Sequence, residues 1–213
     1  HGGTLLAVVV VYFRRLWDMV LHPIRSDLKW LIAATLPTVA AALLLDDLID
    51  MAAGGAFLGV SFLLTSAVLL VGEALNRLRE QRHAEVTWKD SLAMGVMQAI
   101  AAVLPGLSRS GSTIAGGMAS GLSRKRATDF AFLMSVPAVL GALVMAVKDV
   151  LDAAEAAGQP LGEFSSALIA QLGGPAALVA GVAASAIFGF LAIRFMLALV
   201  RKVSLRWFSL YTG

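Results

Sequence analysis

The 213-residue sequence has no cysteine and few charged residues. Charged side chains make up 15% of the chain and hydrophobic ones 59%, whereas an average soluble domain has about 25% charged residues. A soluble protein of this size could not cover its apolar surface with so few charges. We therefore predict an integral membrane protein. The lack of cysteine excludes disulfides, thiolate metal sites and a cysteine nucleophile.

The charges that are present lie mainly between long apolar runs. The net charge of +3 is explained by basic loops at the cytoplasmic face, so no nucleic-acid partner is expected. The runs predict an all-α, multi-pass bundle that forms a single transmembrane domain over residues 1–213. The expected apolar runs are 4–13 (half a span), 28–45, 52–71, 127–147 and 176–200. The polar segments along the chain are, in order, basic, acidic (Asp46–Asp50), mixed, basic, acidic (Asp149–Glu163) and basic.

Residues 91–122 break this pattern. Two short apolar stretches, Ser91–Leu104 and Ser112–Leu122, flank a polar turn that begins with Pro105 and Gly106. Neither stretch reaches the ~20 residues needed to cross a bilayer. We predict a re-entrant helix pair or a broken helix over about residues 91–122. The alternation of loop charge holds only if this segment enters and leaves the membrane on the same side.

The turn places Arg109 among hydroxyls and glycines, in the run PGLSRSGSTIAGG of residues 105–117. An arginine at membrane depth costs at least ~2.5–3.5 kcal/mol, so it needs a partner or an anionic ligand. Guanidinium, hydroxyls and a helix start together favour phosphate binding. The alternative is close helix packing with Arg109 extended to the membrane interface.

The same run carries a family resemblance. Residues 98–117, QAIAAVLPGLSRSGSTIAGG, closely resemble the second signature of the undecaprenyl-pyrophosphate phosphatase (bacitracin-resistance) family. Residues 2–17, 121–142 and 203–211 are similar to other segments of that family. The resemblance implies hydrolysis of C55 polyprenyl pyrophosphate to the monophosphate in the bacterial inner membrane. That reaction recycles the lipid carrier of peptidoglycan synthesis, and the implied fold contains inverted repeats.

The resemblance also assigns roles to residues. Arg109 matches the family's essential arginine and Gln98 a glutamine of the motif. Ser108, Ser110 and Thr113 match hydroxyl positions and, with Arg109, are the expected catalytic residues. The expected substrate-binding residues are Gly106, Gly111, Ser112 and Gln98. A divalent cation, Mg²⁺ or Ca²⁺, is implied by the family alone, and a homodimer is possible.

The resemblance lacks the family's first signature, which contains glutamates and a Ser-Ser-x-Gly-His run. We expect the chain to be an internal fragment, incomplete at both ends and inactive by itself. The second functional hypothesis is a transporter of lipid phosphate or another anion without hydrolysis, and the third is a membrane scaffold.

Three charged sites outside the turn each allow two interpretations. Glu73 is expected to pair with Arg77 or to be solvated, with metal binding as the alternative. Arg194 is expected to extend to the membrane interface, with contact to a lipid phosphate as the alternative. The basic run Arg124–Arg126 is expected to set topology, with anionic-lipid binding as the alternative.

Overall fold

The computed structural model describes residues 2–45, 58–78 and 82–202. Within these ranges the chain forms eight α-helices and one isolated β-bridge, between His83 and Leu122. The helices are α1 (Gly2–Leu21), α2 (Leu28–Leu44), α3 (Leu58–Leu78), α4 (Trp88–Val103), α5 (Arg109–Ser120), α6 (Arg124–Ala156), α7 (Leu161–Gln171) and α8 (Gly174–Lys202). The predicted all-α class is confirmed. The acidic loop Asp46–Asp50 and the segment 203–211 lie outside the described residues.

Two predicted loops are helical instead. Arg14 and Arg15 belong to α1, which continues beyond the apolar run that ends at Phe13. Asp149 and Glu155 belong to α6, which is 33 residues long. Arginine and glutamate are good helix formers, so a change in polarity alone does not end a helix. The breaks come at proline and glycine, at Pro23 after α1 and at Gly158, which has φ +62°, after α6.

Three helices in the described part of the chain are long and apolar enough to cross a membrane: Leu58–Leu78, Arg124–Ala156 and Gly174–Val200. The 17-residue helix α2 is apolar but shorter, and it contains Pro37. Their surfaces expose many large apolar side chains, including Phe188, Leu43 and Leu44. A lipid environment explains this exposure, because in water it would favour aggregation. The chain is a membrane protein.

The chain divides into two compact units, one with residues 1–14 and 135–195 and the other with residues 15–134 and 196–213. In the first unit, α1 packs on α8 near Gly3 and Ser185. In the second unit, α2, α3, α4 and α5 pack together. The assignment of residues 1–213 to a single transmembrane domain stays a prediction.

The predicted pair of short helices is present in the second unit. Helix α4 starts with a capping box, in which the carboxylate of Asp90 accepts the Thr87 backbone N–H at 2.8 Å. It ends at Val103, and α5 begins at Arg109 and packs against it. Entry of this pair into the membrane from one side stays a prediction.

Helix α5 is held closely against α3. A Cβ added to Gly72 of α3 would lie 2.7 Å from Ala115 Cβ of α5. Only glycine permits this approach without displacing the neighbouring backbone. Seven consecutive residues of α5, 112–118, are buried, so this short helix forms the centre of the second unit.

Candidate functional site

The turn between α4 and α5 depends on Gly106. Its φ of +89° lies in the left-handed region, which side chains with a Cβ rarely adopt. The Leu107 N–H donates to the Leu104 carbonyl at 3.1 Å and closes the turn. Gly106 therefore acts through its backbone conformation, which makes the turn possible. Arg109 follows three residues later in the sequence.

Ser108 starts helix α5 as its N-cap. Its Oγ accepts a hydrogen bond from the Gly111 N–H at 3.1 Å. Its own backbone N–H donates to Thr65 Oγ1 of α3, also at 3.1 Å. The side chain of Ser108 thus satisfies one of the N–H groups that every helix start leaves without an intrahelical partner. Sequence analysis missed Thr65, because nothing in an apolar helix signals a contact 43 residues away.

Arg109 is the first residue of α5, and both it and Ser110 are exposed. In the described part of the chain no carboxylate forms an ion pair with Arg109, and the first turn of α5 contains no acidic residue. The N-terminus of a helix carries a partial positive charge, so an arginine there is unfavourable without an anion to balance both. This arrangement supports the anion-binding interpretation over simple packing.

Three further predicted residues lie on the first two turns of α5. Thr113 Oγ1 donates to the Arg109 carbonyl and also lies 3.3 Å from the Ser110 carbonyl, so its hydroxyl supports the helix backbone. Ser112 Oγ is buried and has no hydrogen-bond partner among the described residues. A Cβ added to Gly111 would lie 2.9 Å from Ser108 Oγ, so a larger residue would disturb the cap.

The side chain of Gln98 is hydrogen-bonded to helix α2. Its side chain is 5% exposed on α4, and Nε2 donates to Thr38 Oγ1 of α2 at 3.1 Å. This bond links α2 to α4. The described contacts of Gln98 therefore support the helix pair, and its role in substrate binding stays a prediction.

Glu73 forms the predicted pair with Arg77, at 3.0 Å between Oε1 and Nε. The pair is buried rather than solvated on the glutamate side, because Glu73 is only 1% exposed. Its Oε2 pairs with Arg124 at the start of α6. The neighbouring Asn76 donates through Nδ2 to the Met118 carbonyl at 3.0 Å and so holds the C-terminal end of α5. The Asn76 bond fixes α5 against α3 at the end of α5 away from Arg109, and the Glu73–Arg124 pair joins α3 to the start of α6.

The described residues contain no group of three or more histidine, aspartate or glutamate side chains that could hold a metal ion. Hydroxyls and a guanidinium line the turn, and neither is a preferred ligand of Mg²⁺ or Ca²⁺ without carboxylates. The described site therefore does not by itself fit the divalent cation that the resemblance implies.

The structure defines an α-helical membrane protein of the class that has a polar turn, with an arginine and hydroxyls, between two short helices. A comparison with known protein families narrows this class to one family. The family model of bacitracin resistance protein BacA matches residues 1–213. The chain belongs to this family.

Curated relatives are similar along most of the chain. The undecaprenyl-diphosphatase of Carboxydothermus hydrogenoformans is 32% identical over 213 residues, which cover 99% of this chain and 76% of the relative. That of Alkaliphilus metalliredigens is 37% identical over 183 residues, 85% of this chain and 60% of the relative. Undecaprenyl-diphosphatase 4 of Bacillus thuringiensis subsp. konkukian is 32% identical over 212 residues, 99% and 75% respectively.

Proposed function

We propose that this protein is an undecaprenyl-diphosphatase, which hydrolyses undecaprenyl pyrophosphate to undecaprenyl phosphate and inorganic phosphate. The observation that carries the proposal is the exposed Arg109 at the start of α5, which no carboxylate among the described residues pairs with, in a chain that belongs to the BacA family. Regeneration of the monophosphate returns the lipid carrier to peptidoglycan synthesis. It also removes the pyrophosphate form and so confers bacitracin resistance.

Arg109 has the central role in the proposed reaction. Its guanidinium matches two phosphate oxygens at once, and its charge stabilises the negative charge that the transferring phosphoryl group carries in the transition state. The helix start adds backbone N–H groups and a partial positive charge beside the guanidinium. Because the Ser108 cap fixes the backbone at the helix start, this end of α5 needs little reorganisation during the reaction.

The neighbouring hydroxyls divide into two groups. Ser110 is exposed beside Arg109 and is positioned to contact a phosphate oxygen. Ser108 and Thr113 already hydrogen-bond to the α5 backbone, so we assign them to holding the helix start in shape. Gly106, Gly111, Ser112 and Gln98 remain proposed substrate-binding residues.

The surroundings of the turn suit a lipid substrate. A groove of about 340 Å³ between α2 and α4 is lined only by apolar residues and includes Leu104, which directly precedes the turn. An isoprenoid chain placed there would have its pyrophosphate near the start of α5. The groove supports a polyprenyl substrate over a free anion.

The proposal includes three finer points. The membrane is the bacterial inner membrane, the chain can associate as a homodimer, and a divalent cation, Mg²⁺ or Ca²⁺, takes part. These points rest on the family resemblance. The carboxylates that such a cation needs are to be sought outside the described turn.

The test is phosphate release from undecaprenyl pyrophosphate by the full-length protein in detergent micelles. We expect Arg109→Ala to lower kcat by at least about a hundredfold, the usual loss on removal of one transition-state donor. The matched control is Arg194→Ala. Arg194 is an exposed arginine on α8, and its Cζ lies 5.7 Å from the centroid of the Phe190 ring. Its replacement should leave kcat within about twofold of the unsubstituted protein. Undiminished phosphate release by Arg109→Ala would overturn the assignment.

The comparisons do not favour a transporter, and one measurement separates the two functions. In reconstituted vesicles, movement of labelled lipid phosphate without release of inorganic phosphate would identify a transporter. Release of inorganic phosphate that depends on Arg109 identifies the phosphatase.

A further inference from the structure

A second positively charged pocket lies in the same compact unit as the turn, near the start of α6. It is a cavity of about 380 Å³ lined mainly by charged residues: Arg15, Ala84, Ser123, Lys125, Arg126 and Asp129. Residues of α1, of the segment before α4 and of α6 therefore meet here. None of the proposed catalytic or substrate-binding residues lines this cavity.

The arginines of the pocket are positioned by two carboxylates. Asp27, just before α2, lies 3.3 Å from Arg15 Nη2 and 2.5 Å from Arg126 Nη2. Asp129 lies 3.6 Å from Arg15 Nη1. Burial raises the pKa of the Asp27 carboxyl above its usual value, and the Arg15 guanidinium opposes that rise. Both arginines are therefore fixed in place by ion pairs that are largely shielded from solvent.

Positive charge remains after these pairs are counted. Lys125 is exposed, and no carboxylate among the described residues pairs with it. Arg126 Nη1 is buried and has no acceptor in the same described set. A buried donor without an acceptor is costly, so this arginine lacks one partner that an anion could provide.

The start of α6 adds a partial positive charge to this pocket. Ser123 precedes the helix, and its Oγ accepts from the Arg126 N–H at 3.4 Å. The partial positive charge of the helix N-terminus therefore acts on the same cavity as the two arginines and Lys125. A pocket built in this way attracts an anion with several oxygens.

We propose that this basic pocket binds a phosphate group, separate from the phosphate that is hydrolysed at Arg109. Two sources share this chemistry: the phosphodiester headgroup of an anionic lipid and free inorganic phosphate. The sequence interpretation of Arg124–Arg126 as a signal for topology explains their charge. It does not explain a cavity lined by Arg126, whose buried Nη1 has no acceptor among the described residues.

The experiment measures binding of fluorescent phosphatidylglycerol to the full-length protein in neutral detergent micelles that contain excess phosphatidylcholine. Lys125→Gln is the informative variant, since Lys125 is exposed and outside the ion pairs that fix the arginines. We expect about fivefold weaker binding, the loss for one basic residue near a lipid surface. Lys125→Glu should weaken binding further, and neither variant should change phosphate release from the substrate.

The matched control is Lys148→Gln, another exposed lysine later on α6 that does not line the pocket. It should leave lipid binding unchanged. In a second arm, inorganic phosphate is added as competitor. Displacement at millimolar concentration, lost in Lys125→Gln, assigns the pocket to free phosphate, and no displacement assigns it to the lipid headgroup. Equal binding by the two glutamine variants, or no preference for phosphatidylglycerol together with no phosphate binding, would overturn the proposal.

Discussion

Thr65 Oγ1 of α3 accepts a hydrogen bond from the backbone N–H of Ser108 at 3.1 Å. The same hydroxyl donates to the Ser61 carbonyl at 2.9 Å, and Thr65 is only 1% exposed. The residue that caps α5 is therefore fixed to a neighbouring helix. Since Arg109 is the next residue, the backbone from which its side chain extends is held in place by a buried threonine of another helix.

This relationship predicts a kinetic effect for Thr65→Val. The valine fills the same space but leaves the Ser108 N–H without an acceptor, which costs about 1–3 kcal/mol. We expect kcat to fall about tenfold while KM changes little, because the helix start is less well fixed in the transition state. Thr65→Ser restores the acceptor and should recover most of the rate. Equal losses in the valine and serine variants would contradict a positioning role.

Ser112 provides a test of a proposed substrate contact. Its buried Oγ has no partner among the described residues, so Ser112→Ala removes a hydroxyl that the folded chain leaves unsatisfied. The thermal midpoint should stay the same or rise. If the hydroxyl binds the substrate, kcat/KM should fall about tenfold, the value of one hydrogen bond to a charged group. Ser166→Ala, at an exposed serine of α7, is the control. A stable variant with unchanged kcat/KM would remove Ser112 from the site.

Glu73 predicts a loss of stability. Its buried carboxylate pairs with Arg77 and Arg124, and Glu73→Gln removes the negative charge from both ion pairs. We expect the free energy of unfolding to fall by about 2 kcal/mol. Thermal denaturation in detergent is the measurement. Glu163→Gln, at an exposed position on α7, should change the midpoint little. A Glu73→Gln variant as stable as the Glu163→Gln variant would show that these ion pairs contribute nothing net.

Much of this architecture could be predicted from the sequence, because its signals are local. The short apolar stretches around Pro105 and Gly106 predict two short helices, and the structure has them as α4 and α5. The second stretch is predicted to begin at Ser112, whereas Ser108 caps α5 and the helix begins three residues earlier, at Arg109. A run of apolar residues is a good guide to a helix centre and a poor guide to its ends, as the extension of α1 through Arg14 shows.

The contacts that hold the turn could not be predicted in this way. The bonds from Ser108 to Thr65 and from Gln98 to Thr38 join residues 43 and 60 positions apart. Which threonine or serine becomes the hydrogen-bond partner depends on how the helices pack. The periodicity of apolar residues does not specify that packing. The burial of Glu73 is a similar case, since its dense charged surroundings in sequence are typical of a solvated position.

The close approach of α3 and α5 gives a prediction with a control on the same helix. Gly72→Ala would place a Cβ 2.7 Å from Ala115 Cβ and 2.8 Å from Ala115 Cα, so α5 must shift. We expect a loss of about 1–3 kcal/mol, typical of overpacking, and lower activity because α5 carries Arg109. Gly59→Ala on α3 would meet no heavy atom of the described residues within 4 Å and should cost nothing, or stabilise the helix by up to about 1 kcal/mol. Thermal denaturation and phosphate release of both variants are the measurements, and equal stability of the two would contradict the packing of α3 on α5.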